Sequence, residues 1–343
     1  MKILYIGPDA GTCRQRRFAL ERLGHEVFVA DPFAALPLRR WSHGWSIKTG
    51  ALGLGIFIRR RILSAIGARR FDLVLVDGGE LIDPAMVRAL KKHAPSVVLF
   101  NLDHPFGPRD APRWNLLLRA LPLYDLFATP RKPTADAARA AGIRRVMQMD
   151  FAADEVAHRP ITLDEADRVR FTADVVFVGT WMPERGPILK RLIERGVPLR
   201  IQGLRWSKAP EYEVLAPHIA GGPMVGDDYA KALQGAKIAI GLLSKGNEDL
   251  HTTRSLEIPA MGVLLCAERT SDHMAMYEDG VEAVFWDDAD ECADRCLELL
   301  ANPDRIAQIA AAGHRRVLKN RAFNEPLMER VLREGLAAAR RVA

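Results

Sequence analysis

Short apolar runs, each closed by a turn and followed by a stretch with helical spacing, constrain this chain more than any other feature. In the first half the runs are Lys2–Ile6, His25–Ala30, Leu73–Asp77, Val97–Asn101, Asp125–Thr129 and Arg145–Gln148. Between them the spacing predicts helices over Thr12–Leu23, around Ile56–Ile66, after Asp83-Pro84, near Trp114–Ala120 and near Thr134–Ala140, with an irregular stretch before Ile56. Strands that are apolar along their length are buried on both faces, which calls for a parallel sheet covered by helices.

The pattern breaks at Asp150–Arg170 (DFAADEVAHRPITLDEADRVR), a polar, proline-containing segment that reads as an interdomain linker. It then restarts: strand Asp174–Gly179, helix Pro187–Arg195, strand Leu199–Gln202, helix Asp228–Leu233, strand Lys237–Leu242, helix 251–262 and strand Val263–Ala267. Helices Asp290–Leu300, Pro303–Ala312 and Asn324–Arg341 complete it. The expected architecture is α/β, with two Rossmann-like, doubly wound domains facing a cleft. The expected boundaries are 1–150, a linker at 151–172, a second domain at 173–320, and a C-terminal helix at 321–343 packing back toward the first domain.

A length of 343 residues suits two domains. Apolar residues at 48% and charged residues at 27% fit a globular protein, and no apolar run reaches the roughly 20 residues needed to span a bilayer. A cytoplasmic location is the expectation. The formal charge of +6 suits nucleic acid, an anionic membrane or an anionic small ligand. Basic residues are scattered, aromatics stand at 7% and no recognition motif occurs, so no nucleic-acid partner is expected. Cys13, Cys266, Cys292 and Cys296 lack zinc-like pairing, and Asp288-Ala289-Asp290 reads as the acidic start of a helix, so no metal is expected.

Neither half has G-x-G-x-x-G after its first strand, which argues against a nicotinamide-dependent dehydrogenase. The segment HTTRSLEIPAMG, 251–262, holds more chemistry. Thr252 or Thr253 reads as an N-cap, and Arg254 in the first turn would add a cation to a phosphate seat. Glu257, one turn on, could accept two hydrogen bonds from a ribose diol. The same spacing also reads as an i, i+3 ion pair on a solvated face. Gly179, Thr180 and Arg185 follow a strand, where a glycine admits close backbone approach and an arginine could reach a diphosphate. Lys245 ends another strand and is a weaker candidate for the same charge.

In the first half, Asp103 and His104 end the strand Val97–Asn101 and could orient or deprotonate an acceptor hydroxyl. Asp103 reads equally as a turn residue before Pro105. Asp77-Gly78-Gly79-Glu80, Gly11 and Thr12 are sites of the same kind. Leu36–Arg61 combines tryptophans, apolar residues and basic clusters. That composition fits a segment lying on an anionic membrane, or an acceptor-side loop leading into a buried helix with a basic end.

The run Arg254–Leu265 followed by Asp279–Trp286 resembles the CgeB-like (spore maturation protein-like) group of GT-B glycosyltransferases. Asn302–Ala307, Ala312–Leu318, Tyr124–Thr129 and His158-Arg159-Pro160 add to the likeness, which covers roughly residues 70–320. The resemblance implies a GT-B fold. The second domain would bind a nucleoside diphosphate sugar, used as substrate with no separate cofactor, and the first an acceptor glycan, lipid-linked saccharide or protein. It implies that Glu257 is the second glutamate of an E-x7-E pattern and holds the donor ribose. The first position is Asp249, with Glu248 adjacent, a departure from that pattern. The implied reaction is sugar transfer to an acceptor hydroxyl, retaining and metal-independent, with Arg254 and Arg185 stabilising the leaving diphosphate. Cell-surface glycan biosynthesis is the implied setting. The alternatives are a nucleotide-sugar epimerase and a non-catalytic nucleotide-sugar-binding protein.

Overall fold

The computed structural model describes residues 1–36, 39–51, 53–109 and 111–340. Pro37, Leu38 and Leu52 of the Leu36–Arg61 stretch lie outside the described residues, as does Arg341 at the end of the last expected helix. Packing divides the chain into two units. Unit 1 holds 1–150, 246–248 and 324–343; unit 2 holds 151–245 and 249–323.

Unit 1 begins with β1 (Lys2–Ile6), α1 (Gly11–Arg22) and β2 (Glu26–Ala30). The expected irregular stretch instead contains α2 (Arg39–Thr49), followed by α3 (Gly55–Ile66) and β3 (Leu73–Asp77). Next come α4 (Pro84–Leu90), whose N-cap Asp83 accepts from the Met86 N–H, and β4 (Val97–Phe100). α5 (Asn115–Ala120), β5 (Leu126–Thr129), α6 (Lys132–Ala140) and β6 (Val146–Gln148) complete the run. The parallel sheet has the order β2-β1-β3-β4-β5-β6. One face packs on residues such as Ile58, Ile62 and Leu117, and the other on Leu20, Met328 and Val331. The order reverses between β1 and β3, where their carboxyl-end loops part to opposite sides.

The segment expected as a linker is folded into unit 2. It carries α7 (Glu165–Phe171), capped by the Asp164 side chain, and buries Phe151, Asp154 and His158. Side-chain caps rather than apolar periodicity organise it, which is why its composition reads as loop. Then follow β7 (Ala173–Val178), α8 (Arg185–Glu194), β8 (Leu199–Gln202), α9 (Tyr212–Leu215), β9 (Ile219–Gly221), α10 (Asp227–Gln234) and β10 (Ala236–Gly241). The helix expected at 251–262 is shorter, α11 (Arg254–Ala260). β11 (Leu264–Glu268), α12 (Ser271–Met276), β12 (Val284–Trp286), α13 (Ala289–Leu300) and α14 (Pro303–Asn320) close the unit. α14 runs past the expected end at Ala312. The sheet order is β12-β11-β10-β7-β8-β9, again parallel, with its reversal between β7 and β10.

The final helix, α15 (Asn324–Arg340), belongs to unit 1. Ser96 donates to the Gly335 carbonyl at 2.8 Å, and a β-carbon at Gly335 would lie 2.6 Å from Val98 Cγ2. Glycine is what lets this helix sit so close to the sheet. Among the described residues no helix is long and apolar enough to cross a membrane.

Candidate functional site

In doubly wound sheets, ligands bind where the strand order reverses, beyond the carboxyl ends of the two central strands. In unit 2 those strands are β7 and β10, and the segments after them carry Gly179, Thr180 and Lys245, with Arg185 opening α8 and Arg254 opening α11. The Arg254 Nε–H donates to the Val178 carbonyl at 2.9 Å. Arg185 donates from Nη1 to the Thr180 carbonyl at 2.8 Å and from Nη2 to the Leu242 carbonyl at 3.3 Å. The two guanidiniums thus share the β7 end. Burial first and the charge of Arg254 second pull Arg185 down to about 10, against the pull of Glu184, Asp249 and Glu268.

Gly179 is required there. A β-carbon on it would lie 2.7 Å from the Phe177 ring and 3.4 Å from Arg185 Nη1. Its carbonyl accepts the Trp206 indole N–H at 3.0 Å.

Lys245 is not a free cation as the sequence suggested. Its ammonium is paired with Glu268, and its backbone N–H donates to Glu184 Oε1 at 2.9 Å. Asp249, at the first position of the E-x7-E spacing, accepts the Ser244 N–H at 3.1 Å and shapes the loop after β10.

The expected cap of α11 needs correction. Thr253 is the N-cap residue, but it has helical backbone angles and its side chain caps nothing; Thr252 does not cap either. Ser255 does the local work. Its Oγ accepts the Thr252 N–H at 3.1 Å and lies 2.8 Å from His273 Nε2. His273 Nδ1 lies 2.6 Å from the Glu268 carbonyl, so it donates there, Nε2 accepts from Ser255, and burial holds the ring neutral. Pro259, inside α11, cannot donate to the Ser255 carbonyl one turn back, and the Tyr277 hydroxyl supplies that bond at 2.7 Å. The helix is buried from Ser255 to Ala260.

Glu257 is buried with the rest of α11 and is not bonded to Arg254 among the described residues. Its Oε2 accepts from the Tyr229 hydroxyl, and its Oε1 lies 3.8 Å from His158 Nε2. Neither partner was singled out as a site residue from sequence. His158 sits in the supposed linker, and Tyr229 is the one aromatic of α10, whose sequence is DDYAKALQ.

In unit 1, Asp103 and His104 follow β4, the strand next to β3 of the β1/β3 reversal. The Asp103 backbone N–H donates to Asn101 Oδ1 at 2.7 Å, a turn geometry. His104 is buried with Nδ1 2.8 Å from Thr134 Oγ1. At the reversal itself, Asp77 is locked to buried Arg16 by bonds of 2.7 and 3.0 Å, and Glu80 pairs with Arg113. Both carboxylates of Asp77-Gly78-Gly79-Glu80 are therefore engaged in structural pairs. Gly11 and Thr12 open α1 beyond β1, with Gly11 at a φ of 52°.

Asp288 caps α13 through the Glu291 N–H, and Asp290 lies against Arg191 and Arg195. The structure does bring Cys266 to Cys292 and Cys296, which the spacing left apart. Their sulfurs lie within 4.8 Å of one another, buried in the apolar core of unit 2.

The two six-stranded parallel sheets with their surrounding helices form the two-domain α/β fold of GT-B glycosyltransferases. Residues 185–330 match the protein family described as Glycosyl transferase-like, so a glycosyl transferase-like domain lies in this half of the chain. Sucrose-phosphate synthase from Thermosynechococcus elongatus is similar over 98% of this chain and 100% of that one, with a TM-score of 0.71 and 13% identity. Anabaena HepE in complex with UDP-glucose is similar over 97% and 99%, with a TM-score of 0.67 and 13% identity. A candidate UDP-N-acetylglucosamine 2-epimerase from Listeria monocytogenes is similar over 91% of each chain, with a TM-score of 0.52 and 14% identity. No curated protein matches by sequence.

Proposed function

We propose that this chain is a glycosyltransferase that moves a sugar from a nucleoside diphosphate sugar to an acceptor hydroxyl. The observation that carries the reading is the pairing of Arg185 and Arg254, both within the residues that match a glycosyl transferase-like family, at the carboxyl end of β7. Two cations held together in a partly desolvated place favour a polyvalent anion. In the reaction the bond from the anomeric carbon to the diphosphate breaks, and charge grows on the departing oxygen. A new bond forms from that carbon to the acceptor oxygen, whose proton passes to the departing diphosphate oxygen. The two guanidiniums stabilise the growing charge without reorganising, the kind of electrostatic help a metal would otherwise supply.

Glu257 at the second E-x7-E position supports a ribose contact and, through the resemblance, retention of anomeric configuration. Asp103 and His104 are proposed on the acceptor side because they set an Asp beside a His just beyond the end of β4, in the unit that the resemblance gives to the acceptor. The acceptor is proposed as a glycan, lipid-linked saccharide or protein in CgeB-like cell-surface glycan synthesis, handled in the cytoplasm. Exposed Trp45, Ile47, Ile56 and Phe57 near Lys48 and Arg60 on α2 and α3 support a peripheral contact with anionic membrane. Co-sedimentation with phosphatidylglycerol vesicles that survives Phe57→Ser and Ile56→Ser would remove that contact from the reading.

The test is a thermal-shift panel of UDP, GDP, CDP, TDP and ADP sugars on wild type, Arg185→Ala and Glu257→Ala, each against its own apo melting point. One nucleotide should raise the wild-type midpoint and lose its effect in both variants. No shift with any of them would overturn the reading. The likeness to the epimerase structure favours a second reading. In that case a shifted nucleotide sugar would be isomerised with no acceptor present.

A further inference from the structure

A carboxylate as buried as Glu257, 4% exposed, needs hydrogen-bonding partners that also fix its plane. Two side chains from outside α11 do this. Tyr229 of α10 gives its hydroxyl hydrogen to Oε2. Burial first and Glu257 second push that phenol well above its ordinary 10, so it stays a donor. His158 faces Oε1 from the other side, with Nε2 at 3.8 Å, and its ring meets the Tyr229 ring edge-on with centroids 5.9 Å apart.

The turn that presents His158 also sets its tautomer. Asp154 Oδ1 accepts the Val156 and Ala157 N–H groups at 3.0 and 2.9 Å, and the His158 N–H donates to the Asp154 carbonyl at 3.0 Å. The Asp154 N–H then donates to His158 Nδ1 at 2.8 Å. With Nδ1 accepting, the ring hydrogen of the neutral imidazole is on Nε2, pointed at Glu257. At 3.8 Å its effect is electrostatic alignment rather than a full hydrogen bond.

We infer that Tyr229 and His158 are positioning residues that hold the Glu257 carboxylate for the two ribose hydroxyls of the donor. The inference rests on the proposed nucleoside diphosphate sugar and on Glu257 as its ribose contact. Each carboxylate oxygen has two lone pairs. One on each side is directed at a protein group, and one is left for a ribose hydroxyl. The segment that composition marks as a linker is, on this view, part of the donor site, with the Asp154–His158 turn its working piece.

The experiment is calorimetric titration of the full chain with UDP and with 2′,3′-dideoxy-UDP, repeated with the ADP and GDP pairs. The proteins are wild type, Tyr229→Phe, His158→Phe and His158→Gln. Wild type should prefer the ribonucleotide by about tenfold or more, the worth of hydrogen bonds to a charged group. Tyr229→Phe and His158→Phe should each cut that preference at least about threefold while leaving dideoxynucleotide affinity unchanged. His158→Gln, which keeps an N–H donor, should restore part of it. An unchanged preference in both Phe variants, or an equal loss for both nucleotides, would overturn the inference. A wild type that binds nucleotide without ribose preference would remove Glu257 as the ribose contact, and the inference with it. No nucleotide binding by wild type would overturn the donor reading itself. If His158→Phe does not fold, the near-isosteric Tyr229→Phe decides alone.

Discussion

Arg254 reaches across from the start of α11 to the carbonyl of Val178 at 2.9 Å, and from there its charge bears on Arg185. Among the described residues each guanidinium is held by backbone carbonyls rather than by a carboxylate of its own: Val178 for one, Thr180 and Leu242 for the other. Carbonyls orient a cation without neutralising it. The pair therefore retains positive potential at the reversal of the unit 2 sheet, where the fold concentrates ligand contacts.

Removing either charge should weaken donor binding. Arg185→Ala and Arg254→Ala are each expected to raise the Kd for the nucleotide sugar that shifts wild type by about 10- to 100-fold, the worth of a charge-assisted bond. Arg185→Lys should recover little, because an ammonium cannot span two carbonyls as the planar fork does. Calorimetric titration at two salt concentrations checks this, and wild-type affinity in both Ala variants would place the diphosphate elsewhere.

The backbone that frames this site is packed without slack. Gly203 has φ of 146°, and a β-carbon on it would lie 1.9 Å from the Gly179 carbonyl oxygen. Both the angle and the contact exclude alanine, and neither can relax without moving the loop after β7. Gly203→Ala should destabilise the protein by roughly 3 kcal/mol or more and depress nucleotide-sugar affinity with it. Gly196→Ala serves as the control, since that glycine also has positive φ (84°) but nothing lies within 4 Å of its β-carbon. Urea unfolding of the two variants should separate them, and equal midpoints would mean the Gly179–Gly203 contact is not tight.

Much of this framework is legible in the sequence. Lys2–Ile6, Leu73–Asp77 and Leu199–Gln202 fall at their expected bounds because the first two are short apolar runs and the third alternates apolar with polar, each ended by turn chemistry. α2 was missed because Arg39–Thr49 mixes Gly44, Ser46 and basic residues among its tryptophans, blurring the helical period. β12 is only Val284–Trp286, too short for any periodicity to register. At the site, Arg185, Arg254 and Glu257 stand out as charges inside apolar surroundings. Tyr229 and His158 do not, because their role depends on a side-chain meeting between segments far apart in sequence. The pairings of Lys245 with Glu268 and Asp77 with Arg16 were hidden for the same reason.

The burial of His273 makes stability depend on pH in a defined direction. Burial lowers the His273 pKa from its ordinary 6.5, so the unfolded chain takes up a proton that the folded ring refuses. Stability is full above about pH 6.5 and falls as pH drops from there toward the folded-state value, by up to about 1.4 kcal/mol per pH unit. His273→Gln should be less stable overall yet show a shallower fall between about pH 5 and 6.5. Chemical denaturation at stepped pH gives both quantities, and parallel curves for the two proteins would mean that the ring takes up its proton as readily folded as unfolded.

Thiol chemistry gives a test of both cores at once. Cys266, Cys292 and Cys296 are buried together in unit 2, where no reagent reaches them without opening the β11–α13 packing. Cys13 is partly buried in unit 1, and burial first and Asp77 second push its thiol up to about 12. Since the thiolate is the reactive form, Cys13 at pH 8 should react roughly a thousandfold more slowly than an ordinary thiol. Native protein treated with an aromatic disulfide reagent should thus release almost no colour on a timescale of minutes, while all four cysteines react in denaturant. Asp77→Asn would remove the neighbouring negative charge and speed the Cys13 reaction, with the other three still silent. A fast native reaction at two or more cysteines would show that the unit 2 core opens readily, and the close approach of its three sulfurs would not describe the folded protein in solution.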